Sequence, residues 1–142
     1  MIKENTISWK LKLTSSKEQV YNMLSTNEGR ASFWAESAKE KDREIHFVFP
    51  NGEQYQSRII NNKPCEEFII DYFGSIVIFT IKEEKGKTIL TLINKEVHPD
   101  EIIEVNAGWV SVLMALKAAC DYNIDLRNHS SDYQWDNGYV EN

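Results

Sequence analysis

The chain has little of what usually announces a reaction. It carries two cysteines, Cys65 and Cys120, with no C-x-x-C pair, and Cys120 falls among apolar residues at helical spacing, where a thiol behaves as a small hydrophobe. No disulfide framework is implied, and a reduced, cytoplasmic protein is expected. Its three histidines, His46, His98 and His129, lie far apart and outside any metal-ligand spacing, so no metal site is expected. The six glycines stand singly or at turns, giving neither G-x-G-x-x-G nor a P-loop, and no G-x-S-x-G elbow or Ser/His/Asp set is legible. No cofactor is expected. Basic charge is scarce: 16 Lys and Arg against 22 Asp and Glu leave a net −6 with no basic stripe, which argues against nucleic acid. No segment approaches the roughly 18 continuous apolar residues of a membrane span, and MIKENTISWK lacks the apolar core of a signal peptide. A soluble protein is expected, and its acidity fits a monomer or a homodimer.

What is present is organised around one stretch, Asp100 to Arg127. Projected at about 100° per residue, Ile102, Val105, Trp109, Val112, Leu113, Leu116, Cys120 and Ile124 share one stripe, while Ser111, Ala118, Tyr122 and Asp125 fall opposite. Asp100 is the expected N-cap, Glu101 and Glu104 suit the positive end of the helix dipole, and Arg127 suits the negative end. Gly108 inside this stretch suggests close approach of a strand or a kink. A long helix with one apolar stripe needs a broad surface to lie on, and the preceding chain offers mainly strands.

Ile7, Trp9, Leu11 and Leu13 alternate with polar residues as a strand does. Ser15 or Ser16 can cap a short helix containing Val20, Met23 and Leu24, followed by a helical turn over Arg30–Trp34. Ile45, Phe47 and Phe49 then alternate up to Pro50-Asn51-Gly52, a hairpin signal, and Tyr55, Ser57 and Ile59 return. Glu67–Phe73 and Ser75–Lys82 read as strands joined at Gly74-Ser75, and Thr88–Val97 as the last strand before His98-Pro99. The fold class is α+β: a curved antiparallel sheet of about six or seven strands wrapped around a long C-terminal helix, with two short helices after the first strand. Residues 1–128 read as a single domain. Residues 129–142 read as a polar tail whose Tyr133, Trp135 and Tyr139 favour docking onto it.

This pattern resembles the SRPBCC or START-like helix-grip superfamily, which includes Bet v 1-like allergens and polyketide cyclases, and within it the branch of the activator of Hsp90 ATPase homologues. The resemblance rests on the first strand with two short helices ending in Phe33-Trp34-Ala35, on Phe49-Pro50-Asn51-Gly52, on Pro64–Tyr72, and on Gly108-Trp109 with Leu113, Leu116 and Lys117. It implies a cavity between sheet and helix, used in many relatives for an apolar or amphipathic small molecule. A curled sheet and a straight helix fit imperfectly, so the gap must be filled by side chains or by a guest.

The candidate lining is Trp34, Phe47, Phe49, Tyr55, Tyr72, Phe79 and Trp109, with Leu113, Leu116 and Cys120 as the helix wall. Each also reads as core, because apolar residues at strand or helix spacing usually just pack. Tyr55 and Tyr72 stand out, since a buried hydroxyl wants a partner. Asp125, Arg127, His129 and Asp132 could form a polar cluster capable of acid-base work, or could simply cap the helix end. The leading expectation is non-catalytic binding of a small hydrophobic or amphipathic ligand. The alternatives are a protein-interaction domain with a chaperone as partner, and a cyclase- or hydrolase-like enzyme, which ranks last because no acid and base can be paired.

Overall fold

The computed structural model describes residues 1–141, so Asn142 of the expected tail lies outside the described residues. Among the described residues eight strands form one antiparallel sheet: β1 (Ile2–Lys3), β2 (Thr6–Leu13), β3 (Ser37–Lys41), β4 (Glu44–Val48), β5 (Gln54–Lys63), β6 (Glu67–Tyr72), β7 (Ser75–Glu84) and β8 (Lys87–Lys95). Their order is β1-β2-β8-β7-β6-β5-β4-β3. Two of them, β1 and β3, are not among the six strands read one by one in the sequence, for different reasons. β1 is only two residues long, and β3, with sequence SAKEK, turns a single apolar side chain, Ala38, inward, too thin an alternation to read.

Period-two alternation sets the register elsewhere. Ile7, Leu11 and Leu13 of β2, Leu90 and Leu92 of β8, Val77, Phe79 and Ile81 of β7, and Phe68 and Ile70 of β6 all face one buried side. Leu11 pairs with Leu90, and Phe79 with both Leu92 and Phe68, so the apolar residues lie in rows across the strands. Two of the hairpins turn one residue earlier than a glycine alone suggests: Phe73-Gly74 and Lys85-Gly86 both take positive φ at both positions, as a two-residue hairpin matched to strand twist requires. At Asn51-Gly52 only the glycine does, and the Asn51 side chain instead accepts a hydrogen bond from the Glu53 amide.

α1 (Lys17–Ser25) opens with a capping box in which Ser16 and Gln19 satisfy each other's backbone amides. Thr26 ends it and caps α2 (Asn27–Ala31), which begins earlier than the expected Arg30–Trp34 turn. α2 folds back tightly: a Cβ on Gly29 would sit 2.6 Å from Met23 Cα, inside α1's last turn. Arg30 is fully buried, donating to the carbonyls of Leu24 (3.0 Å) and Ala38 (3.1 Å) and to Asn27 Oδ1 (2.9 Å), so it ties α1, α2 and β3 together. Burial lowers its pKa, against the attraction of Glu40 and Glu28.

α3 (Ile102–Tyr122) crosses the concave face. It is shorter than Asp100–Arg127: Glu101 precedes it with no side-chain cap, so Asp100 is not the N-cap, and Asn123 in the left-handed conformation ends it before Ile124, which is exposed. The helix is continuous through Gly108, and no atom lies within 4 Å of the position a Cβ would take, so neither a close strand nor a kink explains that glycine. Ile102, Trp109, Leu113 and Leu116 are buried as expected, with Val105, Val112 and Cys120 half-buried.

Gly29→Ala is expected to lower unfolding free energy by about 1–3 kcal/mol, the usual cost of overpacking, because the added methyl meets backbone that cannot rotate away. Urea unfolding measures this, and Gly108→Ala is the control that should be neutral or stabilising.

Candidate functional site

The candidate residues separate into two groups. Trp34, at the end of the α2 segment, sits among Phe33, Phe47, Tyr72, Phe79 and Trp109 at ring-centroid distances of 4.9–5.8 Å. Phe49 stacks on Phe47 (6.0 Å), and Tyr55 reaches Tyr72 (6.1 Å), extending the cluster to the hairpin tips where Phe73 is exposed. Seven candidates therefore form one aromatic cluster between sheet and helix. Neighbouring rings are in contact, in edge, tilted and stacked geometries. Leu113 and Leu116 are buried in the same core, whereas Cys120 lies near the other end of the sheet, where Ser15 Oγ donates to its carbonyl (3.0 Å). Burial raises the Cys120 thiol pKa, the neighbouring Ser15 side chain opposes it and the Asp121 charge adds to it, which leaves the thiol a poor nucleophile.

Polar atoms inside this cluster are paired. The Trp34 indole donates to Tyr72 Oη (3.1 Å), and burial raises the Tyr72 pKa against that bond, so the phenol stays neutral. Trp109 Nε1 donates to Asn94 Oδ1 (2.8 Å), Asn94 Nδ2 donates to Ser75 Oγ (2.8 Å), and Ser75 Oγ donates to the Tyr72 carbonyl (2.8 Å). Asn94 and Ser75, which were not among the candidates, thus link the long helix to β7 and β8. Their signal in the sequence is a polar residue at the buried phase of an alternating strand: Thr88, Leu90, Leu92, Asn94. Tyr55 Oη donates to Asp71 Oδ1 (2.7 Å), and its pKa is raised by burial first and by Asp71 second.

α3 has two further clamps. Trp9 Nε1 donates to Asn106 Oδ1 (2.9 Å), and Asp121 has a fully covered side chain. Asp121 accepts from the amides of Thr14 (2.9 Å) and Ser15 (3.0 Å) and from Ser15 Oγ (2.6 Å), with Lys117 Nζ at 3.6 Å. Burial pushes its pKa up, but these donors outweigh it and the net shift is downward.

The polar cluster after α3 does not cap the helix. Arg127 is 9% exposed and donates to the carbonyls of Ala35 (2.8 Å) and Ala31 (2.7 Å) while pairing with Asp125 (2.9 Å). His129 lies between Asp125 Oδ2 and Glu36 Oε1, both at 2.6 Å; Asp132 takes no part in these contacts. Glu36, the unexpected member, is 93 residues away in sequence. No group of three or more His, Cys, Asp or Glu side chains is placed to hold a metal ion among the described residues.

Two open grooves flank α3, and none of the ten candidates lines either. One, of about 280 Å³, lies between Glu104 and the tail residues Trp135, Gly138, Tyr139 and Val140. The other, of about 400 Å³, is bounded by α1, α2 and the end of α3, including Met23, Gly29, Ser32, Ala119 and Ile124. The outward side of α3 is also apolar: Ile103 is 76%, Met114 50% and Val110 42% exposed. With Ala107 they form an i, i+4, i+7, i+11 stripe opposite the buried one.

A curved antiparallel sheet closing on a long C-terminal helix is the helix-grip architecture. The family model described as activator of Hsp90 ATPase homolog 1-like protein matches residues 14–121, and this chain belongs to that family. No curated protein matches it. Among solved structures it is similar to the protein SSP2350 of Staphylococcus saprophyticus (17% identity, TM-score 0.75, covering 86% of this chain and 96% of that one). It is similar also to the Aha1 dimer of Colwellia psychrerythraea, solved in solution (19%, 0.75, 82% and 96%). A third is DynU16, from the dynemicin biosynthetic locus (12%, 0.76, 87%), of which this chain spans about half, 49%. At these identities the likeness is one of fold.

Asn94→Leu is expected to cost about 1–3 kcal/mol, since the Trp109 indole and Ser75 hydroxyl lose their partner in a dry interior. Asn94→Asp, which keeps the acceptor for the indole, should retain the Trp109 indole proton's shifted resonance while still losing stability.

Proposed function

We propose that this chain is a protein-interaction domain that docks its partner on the outward face of α3. The observation that carries the reading is the stripe of Ile103, Ala107, Val110 and Met114, left in water by a helix whose other side is fully engaged. Contiguous exposed apolar surface is unfavourable and marks docking sites, and anchors at this spacing are those by which a helix enters a complementary groove. Two partners have support. The family's description names an activator of a chaperone ATPase, and the Colwellia relative is a dimer. The chaperone ATPase is the first partner to test, and a second copy of the chain the next.

The reading predicts that Val110→Glu combined with Met114→Lys abolishes retention of the chaperone ATPase on the immobilised protein, or self-association in sedimentation, with the urea midpoint unchanged. Retention and sedimentation identical to the parent protein would contradict it.

The small-ligand reading is the second. What favours it is the chain Trp109–Asn94–Ser75 and the Tyr72–Trp34 pair, polar tips set in an aromatic cluster between sheet and helix as an amphipathic guest would require. A guest there must part rings that now touch. Native mass spectrometry of the purified protein tests it: a retained metabolite, lost in Trp34→Ala, supports it, and a bare chain mass from every preparation counts against it.

A further inference from the structure

The residues after α3 return along the helix they have just left. Asn123 takes the left-handed conformation (φ 54°), its amide and that of Ile124 bond back to Ala119 and Ala118, and the chain reverses. The returning segment is pinned at both ends. Arg127 fixes its start to the Ala31 and Ala35 carbonyls. At its far end Ser111 Oγ on α3 donates to the Val140 carbonyl, and Trp135, Tyr139 and Val140 wall the groove facing Glu104. Between these points the segment is closed on itself: the Asn128 amide donates to the Glu141 carbonyl (2.8 Å), the Tyr133 and Tyr139 rings lie 5.1 Å apart, and Gln134 is 3% exposed. The flank of α3 beside the apolar stripe is therefore covered by the protein's own chain.

Among the described residues of this segment, His129 is the one histidine, and its ring is the contact that can titrate near neutrality. Each ring nitrogen faces a carboxylate oxygen at 2.6 Å, Asp125 on its own segment and Glu36 on the connection between α2 and β3; the Arg127 guanidinium is the third charge beside it. Ionised carboxylates only accept, so both contacts are hydrogen bonds only when both ring nitrogens carry protons. A neutral ring has one N–H, and one contact then sets lone pair against lone pair. We propose that Asn123–Glu141 is a strap latched to the body by protonated His129, and that deprotonation of this ring releases the strap from Glu36 and widens the exposed face of α3. The widening bears on function only if the docking reading above holds; the latch does not depend on it.

The direction follows from the contacts. The Asp125 bond first and the Glu36 bond second raise the His129 pKa, outweighing burial and the repulsion of Arg127. A folded pKa above the ordinary value of about 6.5 means the latch is fully engaged below that value and lost as pH rises through the elevated one. On the acid side, burial would raise the Asp125 pKa, but the bonds from Arg127 and His129 prevail and hold it well below the carboxylate range. Its contribution is present above the ordinary value of about 3.9 and falls away only in strong acid. The contact of the strap with Glu36 is thus held below the ordinary histidine value and lost as pH rises through the elevated one, leaving the Arg127 and Ser111 attachments at its two ends.

Two measurements on the full chain test this. Chymotryptic cleavage after Tyr133, Trp135 and Tyr139, normalised to a free peptide of the same sequence, should accelerate at least several-fold between pH 6.5 and 9. His129→Gln and Glu36→Gln should already be fast at pH 6.5 and show no further rise, with circular dichroism unchanged, since both side chains are partly exposed. The His129 ring resonances should titrate above 6.5. A His129 pKa at or below 6.5, equal protection at both pH values, or the same acceleration in His129→Gln would each overturn the latch. Under the docking reading, His129→Gln should also retain more of the chaperone ATPase than the parent at pH 6.5. Faster cleavage without greater retention would leave the latch standing and separate it from docking.

Discussion

The attachment of α3 to the concave side of the sheet is the constraint from which the rest of the molecule follows. An apolar stripe alone would let a helix slide or roll on a layer of Ile, Leu and Val. Three polar clamps prevent this: Trp9 to Asn106 near the start, Trp109 to Asn94 in the middle, and Asp121 to Thr14 and Ser15 near the end. Each joins α3 to a strand or to the loop that follows β2, and the buried Trp109–Asn94 bond would cost more broken than it contributes intact, because a buried donor or acceptor without a partner carries its full desolvation penalty. The clamps fix the rotation of the helix about its axis, and thereby decide which side meets the aromatic cluster and which side meets water.

That fixed rotation has two consequences. Inward, the curled sheet and straight helix leave a gap that is occupied by Trp34 and the rings around it, with every indole donor of the cluster paired. Outward, Ile103, Val110 and Met114 cannot turn inside, because doing so would break all three clamps together. By length and composition α3 is also apolar enough to cross a bilayer, a property shared by core helices of soluble proteins, and here its Trp109 side is packed on the sheet.

Much of this architecture can be read from residue order because period and punctuation are local. The alternation in β2, β7 and β8, the Ser16 capping box, the hairpin glycines and the buried stripe of α3 all depend on neighbours within a few positions. What could not be read depends on partners far away or on main-chain atoms. Arg30 and Arg127 look like surface charges, yet both are buried because their guanidinium groups meet carbonyls that sequence does not display. Glu36 carries no hint of His129. The edge strand β3 has a single inward apolar side chain, so its pairing with β4 is a property of the sheet. Asn94 was within reach, as a polar residue at an inward strand position, and so was the second apolar stripe of α3, visible at the same spacing as the first.

The claim that a closed, polar-pinned aromatic seam holds the helix to the sheet is tested most directly by hydrogen exchange at the four tryptophan indoles, followed by NMR. The account predicts that the Trp34 and Trp109 protons exchange only with the slowest amides of β7 and β8, through global unfolding, while Trp135 in the tail exchanges quickly. Rapid exchange at Trp109 and Trp34 with the sheet amides still protected would mean that the seam opens in the native state, and the account would be contradicted.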